Sequence, residues 1–426
     1  MMAPRAFEPR RHRLANGVIL LSDPAPTFET LALCVVAGRG ARWEDESRSG
    51  WSHLLEHMVF KGAGPRSARE IVEAIEAGGG QLNAATGHER TSFQVRALAG
   101  GLPLAMEVVA DLIHRPTLDE ADLTREKHVV GQEIAEAADT PDDQVFEQAQ
   151  AAAFAGQPLG RPILGSSASI APADAEALEA WRATLYAPDR LVVSVAGAVD
   201  EDELLRLAEA LFGGAASGAA VAPDAGRFTG GHARERRKLE QAHVVFLLPT
   251  PGAADAAHWP LRVFAEALGG GMSSRLFQEA RERLGLAYAI DAFGEAYADV
   301  GVLGVYAGCA PGDAGRLAEV SAGEIRSLIK DITPGELARA KAQLKASLFM
   351  SRESLLARAE LAAAQVLTFG ELQPPAAAAR AIDAVGPADI EALGARVLAP
   401  GRCTVSVLGP RSAMDAPARF EAALFA

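Results

Sequence analysis

Apolar and polar positions along this chain form two kinds of segment, one with the two-residue period of a strand and one with the period of a helix. Short runs rich in β-branched residues predict strands at 17–22, 30–36, 91–98, 190–197, 242–248, 287–293, 300–307 and 402–409. Longer segments with apolar residues every three or four positions predict helices at 49–60, 68–77, 102–114, 119–138, 311–330 and 334–350. This mixture favours an α+β fold, in which helices back a sheet.

The strand pattern repeats after 212 residues, which indicates that the chain arose by duplication. The segment RLVVSVAG at 190–197 returns as RCTVSVLG at 402–409. Between the halves, residues 213–231 are rich in glycine and alanine and keep no apolar period, as expected of an exposed connector. We therefore predict two homologous domains, 1–212 and 232–426, joined by a linker at 213–231. Each would be a mainly antiparallel sheet backed by helices.

Composition and charge narrow the classes of partner. The 426 residues are 49% apolar and 23% charged, so the chain can bury large cores. A formal net charge of -14 argues against nucleic acid or an anionic membrane as the main partner. The apolar runs are far shorter than the roughly eighteen residues of a membrane helix, and residues 1–13 lack the apolar core of a secretory signal. We therefore expect a cytoplasmic protein.

The three cysteines support the same compartment. Cys34, Cys309 and Cys403 are scattered inside apolar runs, which matches neither a disulfide framework nor the spacing of a cysteine metal site. We expect all three to be reduced and buried.

The segment His53-Leu-Leu-Glu56-His57 lies within the first long predicted helix. A spacing of four places the two imidazoles on one face of the helix, where they can share a metal ion. Glu56 lies on nearly the same face, so its carboxylate can reach a water molecule at that ion without being a ligand. The order H-x-x-E-H inverts the H-E-x-x-H motif of zinc peptidases. The pattern alone leaves open an amphipathic surface helix that carries two histidines and a glutamate.

A catalytic zinc ion needs three protein ligands and one open position. The predicted helix at 119–138 offers Glu126 and Glu133, which are seven residues or about two turns apart and therefore face the same way. These two carboxylates favour the metal site over the surface helix.

Two segments together, GWSHLLEHMVFKG at 50–62 and REKHVVGQEI at 125–134, resemble the M16 metallopeptidases, the family of pitrilysin, insulinase and mitochondrial processing peptidase. The resemblance is to the short two-domain members and covers residues 14–409. It implies that Glu133 completes a site for one zinc ion per chain with the two motif histidines, and that Glu126 orients one of those histidines.

The implied chemistry gives Glu56 its role. Two neutral imidazoles and one carboxylate leave zinc with a net charge of +1, which is enough to bring a water molecule toward a pKa of about 7. As general base, Glu56 would take the proton of that water and pass it to the leaving nitrogen of a peptide bond.

Two further segments resemble parts of the family that contact the substrate. Residues 79–91 resemble the edge strand beside the zinc, to which an extended peptide adds as another strand, and Asn83 and Ala84 match its contacting pair. Spacing alone would favour a glycine-led turn, with Asn83 present because asparagine tolerates unusual dihedral angles. In residues 269–288, Arg281 and Tyr288 match an arginine and tyrosine that reach over the substrate.

The roles of this pair follow from its chemistry. The Arg281 guanidinium would hold a substrate carbonyl, and the Tyr288 hydroxyl would stabilise the developing oxyanion. Without the resemblance, a solvated arginine and a core tyrosine would be preferred. A phosphate-binding loop is excluded at the glycines of 269–271, because they follow a helical segment and no Gly-Lys-Ser/Thr occurs.

The second half lacks the zinc site. The 212-residue shift places Ala265 and Gly269 opposite the two histidines, Leu268 opposite Glu56 and Lys345 opposite Glu133. Larger relatives enclose a cavity between four such domains, so a two-domain chain implies a second chain. We expect a homodimer in which Arg281 and Tyr288 of one subunit complete the zinc site of the other.

The resulting hypothesis is a zinc endopeptidase that cleaves short unfolded peptides or presequences in an enclosed chamber. One alternative is a noncatalytic M16-like scaffold or partner subunit. Inactive relatives usually lose a histidine or a glutamate of the site, whereas this chain keeps them all. Another alternative is an active subunit that needs a different partner without zinc.

Overall fold

The computed structural model describes residues 9–215, 221–399 and 401–426, in which helices flank two large sheets. The strands are β1 (Arg10–Arg13), β2 (Ile19–Pro24), β3 (Thr30–Ala37), β4 (Gly62–Ala63), β5 (Arg66–Ser67), β6 (Gln81–Thr86), β7 (Thr91–Leu98), β8 (Leu191–Gly197), β9 (Gly231–Arg236), β10 (Ala242–Pro251), β11 (Ala287–Ala296), β12 (Val300–Cys309) and β13 (Thr404–Gly409).

The α-helices vary from one turn to five turns. They are α1 (Trp51–Val59), α2 (Ala68–Ala77), α3 (Leu102–His114), α4 (Glu120–Asp139), α5 (Pro141–Ala153), α6 (Ser167–Ile170), α7 (Ala175–Leu185), α8 (Glu201–Phe212), α9 (His258–Gly269), α10 (Ala314–Asp331), α11 (Pro334–Met350), α12 (Leu355–Phe369), α13 (Pro375–Ala384), α14 (Pro387–Leu398) and α15 (Ala416–Leu424).

Both large sheets have the same topology. The first has the order β1-β2-β8-β3-β7-β6 and the second has the order β11-β12-β10-β13-β9. Each is antiparallel except for one parallel pair, β2 with β8 and β13 with β9. Strands β2, β8, β3, β7 and β6 therefore correspond to β9, β13, β10, β12 and β11, and β1 is an addition. The predicted α+β fold with two related halves is confirmed.

Packing divides the chain into two compact units that are not continuous in sequence. The first unit is 1–135, 162–223 and 350–374, and the second is 136–161, 224–349 and 375–426. This division differs from the linear one predicted at 212 and 232, because the segments 136–161 and 350–374 each belong to the unit of the other half. Part of the predicted linker, 216–220, lies outside the described residues, and 221–230 has no helix or strand.

The exchanged segments are explained by the apolar faces of two helices. In the first unit, Leu355, Ala359 and Val366 of α12 pack on the face of the sheet that carries Cys34 and Val192. In the second unit, Val145, Ala149 and Ala153 of α5 pack against the face formed by β10 and β13. Each sheet is thus covered on both faces: the exchanged helix covers one face, and helices from the sheet's own half cover the other face.

The predicted state of the cysteines agrees with the structure, because Cys34, Cys309 and Cys403 are buried free thiols. Within the described part of the chain, no helix has both the length and the hydropathy that a membrane crossing requires.

A buried ion pair fastens α12 to the first sheet, and it generates a prediction. Arg358 Nη2 lies 2.7 Å from Asp23 Oδ1, and the two side chains are 4% and 6% exposed. Asp23→Ala leaves the guanidinium buried without this carboxylate, so we expect a loss of about 3–5 kcal/mol in the free energy of unfolding. Denaturant titration measures this loss.

The control is the exposed pair of Arg69 and Glu73 on α2. The substitution Glu73→Ala should cost less than about 1 kcal/mol, because solvent screens that pair. Equal losses in the two variants would show that the buried pair does not hold α12 in place.

Candidate active site

Helix α1 directs its two histidines away from the core. Leu54, Leu55 and Met58 are completely buried between the helix and the first sheet. The opposite face carries His53 and His57, whose ring centroids are 4.7 Å apart. The packing of the apolar face therefore sets the direction in which both imidazoles point.

A buried carboxylate fixes the N-terminus of α1. Gly50 precedes the helix in the left-handed region, with φ of 91°, and has no side chain to cap it. Glu44 takes over this function, since its carboxylate accepts hydrogen bonds from the N–H of Gly50 at 2.8 Å and of Ser52 at 2.7 Å. Glu44 was not predicted from the sequence. The available signal was the lack of Ser, Thr, Asp or Asn immediately before the helix.

Glu133, on α4, lies next to both histidines. Its Oε2 lies 3.8 Å from His53 Nε2 and 3.5 Å from His57 Nε2. This oxygen is buried and has no hydrogen-bond partner among the described residues. A tetrahedral zinc ion with bonds of about 2.1 Å holds its ligand atoms about 3.4 Å apart. The three residues therefore fit a zinc ion, which would also compensate the buried, unpaired oxygen.

The protonation states of the histidines suit a metal. Burial, together with the neighbouring His57, lowers the pKa of His53 to about 4, so this imidazole is neutral at neutral pH and can act as a ligand. His57 Nδ1 lies 3.0 Å from Glu126 Oε2. Because an ionised carboxylate only accepts, His57 donates through Nδ1 and keeps the lone pair of Nε2 for a metal.

Glu126 itself is held in place from its other side. Its side chain is only 8% exposed, and Oε1 lies 2.8 Å from Lys61 Nζ. The carboxylate therefore bridges a cation and an imidazole, which is the orienting arrangement that the resemblance implied for it.

Glu56 has a different partner from the three ligand candidates. Its Oε2 accepts a hydrogen bond of 2.5 Å from the Thr86 hydroxyl, at the end of β6. Burial raises the pKa of Glu56, although hydrogen bonds from Thr86 oppose this effect. The carboxylate is thus kept beside the histidine pair in a position where it can accept a proton. The role of Thr86 was not predicted, because a residue 30 positions away from Glu56 gives no local signal in the sequence.

Strand β6 offers an open edge to a peptide. It is the last strand in the order of the first sheet, and its Asn83 and Ala84 pair with Gln94 and Phe93 of β7. Asn83 is exposed and lies within regular strand, so the alternative of an unusual dihedral angle does not apply to it. The free side of β6 can accept a further strand.

Arg281 and Tyr288 lie together in the second unit. Arg281 belongs to a π-helix, Phe277–Arg283, and its guanidinium lies 4.5 Å from the ring centre of Phe277 and 5.5 Å from that of Tyr288. Tyr288 is 80% exposed and is therefore not a core residue. With Gln241 and neighbouring residues, the pair lines an open pocket of about 420 Å³. The stacking role of Phe277 was not predicted from the sequence.

The second unit keeps the fold of the site without its ligands. Ala265, Leu268 and Gly269 lie buried on α9, the counterpart of α1, and Lys345 of α11 pairs with Asp383. Across the described ranges, one group of histidine, cysteine and acidic side chains can hold a metal, and it consists of His53, His57 and Glu133.

Comparisons with known proteins agree with this arrangement. A family model described as "Insulinase (Peptidase family M16)" matches residues 17–167, and one described as "Peptidase M16 inactive domain" matches 172–344. An uncharacterized zinc protease of Rickettsia bellii is 32% identical over 401 residues, or 94% of this chain and 97% of that protein. An uncharacterized zinc protease of Mycobacterium tuberculosis is 36% identical over 412 residues, or 95% and 94%.

A solved structure shows the same fold. The crystal structure of a protease from Helicobacter pylori superposes with a TM-score of 0.89 at 21% identity, and the match covers 95% of this chain and all of that one.

The contacts of Glu126 predict its effect on metal binding. Glu126→Ala removes the acceptor of His57 Nδ1, so the imidazole loses its fixed orientation. We expect zinc affinity, measured by competition with a chelator, to fall by roughly 10- to 100-fold. The control is Asp122→Ala on the same helix, which removes only an ion pair with Arg125. Wild-type zinc affinity in Glu126→Ala would contradict the orienting role.

Proposed function

This chain belongs to the M16 family of peptidases, and from that premise we propose that it is a zinc-dependent endopeptidase that hydrolyses short unfolded peptides or presequences. The observation that carries the proposal is that His53, His57 and Glu133 lie close enough together to hold a metal ion. One oxygen of Glu133, Oε2, is buried there without a hydrogen-bond partner among the described residues. We also propose one zinc ion per chain and a cytoplasmic location, which suits the three reduced thiols.

Each residue around the proposed zinc site has its own role in the reaction. Zinc, when bound, supplies a Lewis acid that activates a water molecule and polarises the carbonyl of a peptide bond. Glu56 acts as general base, because its carboxylate takes a proton from the attacking water and returns it to the leaving nitrogen. The raised pKa of Glu56 supports this role, since it makes the carboxylate a better proton acceptor. Lys61 and Glu126 keep His57 oriented throughout.

The second unit supplies groups that contact the substrate. The exposed Tyr288 hydroxyl donates a hydrogen bond to the oxyanion as it develops, and Arg281 donates to a carbonyl of the peptide. Stacking between Phe277 and Tyr288 restricts the guanidinium, so fewer of its conformations are lost when substrate binds.

The form of substrate follows from the edge of the first sheet. An extended peptide can pair with β6 through backbone hydrogen bonds, with Asn83 and Ala84 as contacts, whereas a folded protein offers no free strand there. Backbone pairing depends little on side chains, so we propose selection by length and extension more than by a strict motif. An enclosed chamber would impose the same selection.

A second subunit is part of the proposal. The metal ligands and the Arg281–Tyr288 pair lie in different compact units, and the larger members of the family join four such domains in one chain. We propose a homodimer in which the pair of one subunit acts at the zinc site of the other.

A noncatalytic role is the second candidate. The family model that matches 172–344 is described as an inactive domain, and the second unit accordingly lacks metal ligands among its described residues. The alternative would make the whole chain a structural or partner subunit. The intact ligand set of the first unit favours the peptidase.

Peptide cleavage with and without metal tests the proposal. Purified protein is incubated with a mixture of short peptides, with and without a chelator, and the products are read by mass spectrometry. We expect metal-dependent cuts in peptides and none in folded proteins. Glu56→Gln should bind zinc normally and lose at least roughly 100-fold in rate, because only the proton acceptor is removed.

The matched control is Glu76→Gln, an exposed glutamate at the end of α2, which should cleave at the wild-type rate. Cleavage by Glu56→Gln at that same rate would exclude Glu56 as the base. Zinc binding without any metal-dependent cleavage by the wild type would favour the noncatalytic role.

Mixing two inactive variants tests the shared site. In a dimer of one Glu56→Gln chain and one Tyr288→Phe chain, the second chain keeps its base and would receive an intact tyrosine from the first. An equal mixture should therefore regain about a quarter of wild-type activity once subunits exchange. Differently tagged chains confirm the exchange. If exchange is complete and activity stays at the level of the parents, the pair does not act across subunits.

A further inference from the structure

Thr86 occupies a special position in the first unit, because it connects the edge strand to the zinc-binding helix. It is the last residue of β6 and pairs with Thr91 at the start of β7. The alternation of the strand turns Thr86 and Ala84 toward the core side, whereas Asn83 is exposed. The Thr86 side chain is therefore the part of the edge strand that meets α1.

The hydrogen bond of Thr86 has a definite direction. The hydroxyl has one proton, and two acceptors are near it: Glu56 Oε2 at 2.5 Å and the carbonyl oxygen of Ser52 at 3.5 Å. The carboxylate is charged and much closer, so the proton is donated to Glu56. One oxygen of the carboxylate is thus held, which leaves Oε1 to exchange a proton with water.

A glutamate at this place needs such a restraint. Its side chain has three rotatable bonds, and an unrestrained carboxylate beside a divalent ion can itself become a ligand. That would close the position a catalytic site keeps open. Neither His53 nor His57 can supply the restraint, because both are committed to the metal.

We propose that Thr86 is a positioning residue that holds Glu56 in the orientation of a general base and away from the metal. The inference rests on the proposed function of Glu56. It assigns the task to the hydroxyl group alone, so a variant whose side chain has the same shape but no hydroxyl should fold normally and have a lower kcat.

Three variants separate this role from a structural one. Thr86→Val keeps the shape and removes the hydroxyl, and we expect kcat to fall roughly 10- to 100-fold while KM and zinc affinity hold. Thr86→Ser restores the hydroxyl and should stay within about threefold of the wild type. Thr91→Val is the control, because its hydroxyl lies on the same hairpin but donates to the backbone oxygen of Arg39. An unchanged kcat in Thr86→Val, or an equal loss in Thr86→Ser, would overturn the proposal.

A measurement on the metal-free protein tests the contact without any activity. In a double-mutant cycle of Thr86→Val and Glu56→Ala, unfolding free energies are compared for the wild type and for the single and double variants, because alanine, unlike glutamine, leaves no oxygen to accept the hydrogen bond of Thr86. A coupling clearly different from zero supports the contact, and additivity would overturn the proposal even if Thr86→Val were inactive. If the wild type cleaves no peptide, the proposed function and the kinetic role of Thr86 both fail. The coupling then decides only whether the contact exists.

Discussion

The burial of one face of α1 is the interaction on which the rest of the site depends. Leu54, Leu55 and Met58 fill the space between the helix and the first sheet, and Glu44 anchors the helix at its N-terminus. With both restraints in place, the opposite face can point in one direction only. The fold itself therefore brings the two imidazoles together with the Glu133 carboxylate of α4.

Four carboxylates lie on or beside this helix, and three of them are compensated, each in a different way. Glu44 accepts backbone N–H groups, Glu126 bridges a lysine and a histidine, and Glu56 accepts a hydroxyl. Glu133 alone among them has a buried oxygen for which the described residues provide no donor. Compensation by neutral groups keeps Glu56 able to accept a proton, whereas the uncompensated oxygen of Glu133 selects for a cation.

The sequence predicted what local periodicity controls. The bounds of α2, α3, α11 and β7 agree with the predicted segments, and a capping box of Ser67 and Glu70 marks the start of α2. The four-residue spacing of His53 and His57 and the seven-residue spacing of Glu126 and Glu133 depend only on helical geometry, and the structure has these side chains together. Arg281 and Tyr288 could be singled out only through the family resemblance.

What the sequence did not reveal depends on contacts between distant segments. The pairing of Thr86 with Glu56 joins a strand to a helix, and neither residue type is unusual where it stands. Neither α5 nor α12 was predicted as a helix, and an apolar helical face in any case shows that it is buried, but not which of two similar sheets buries it. Duplication makes this ambiguity acute, since both sheets present comparable surfaces.

The place of α12 has a consequence for how the protein is made. The cover of the first sheet is residues 355–369, so the ribosome must translate nearly the whole chain before that surface can be shielded from water. Until then the nascent N-terminal half exposes an apolar β-surface of the kind that chaperones bind. A gene fragment that stops at the midpoint would lack α12 and would encode a first sheet with one apolar face left uncovered.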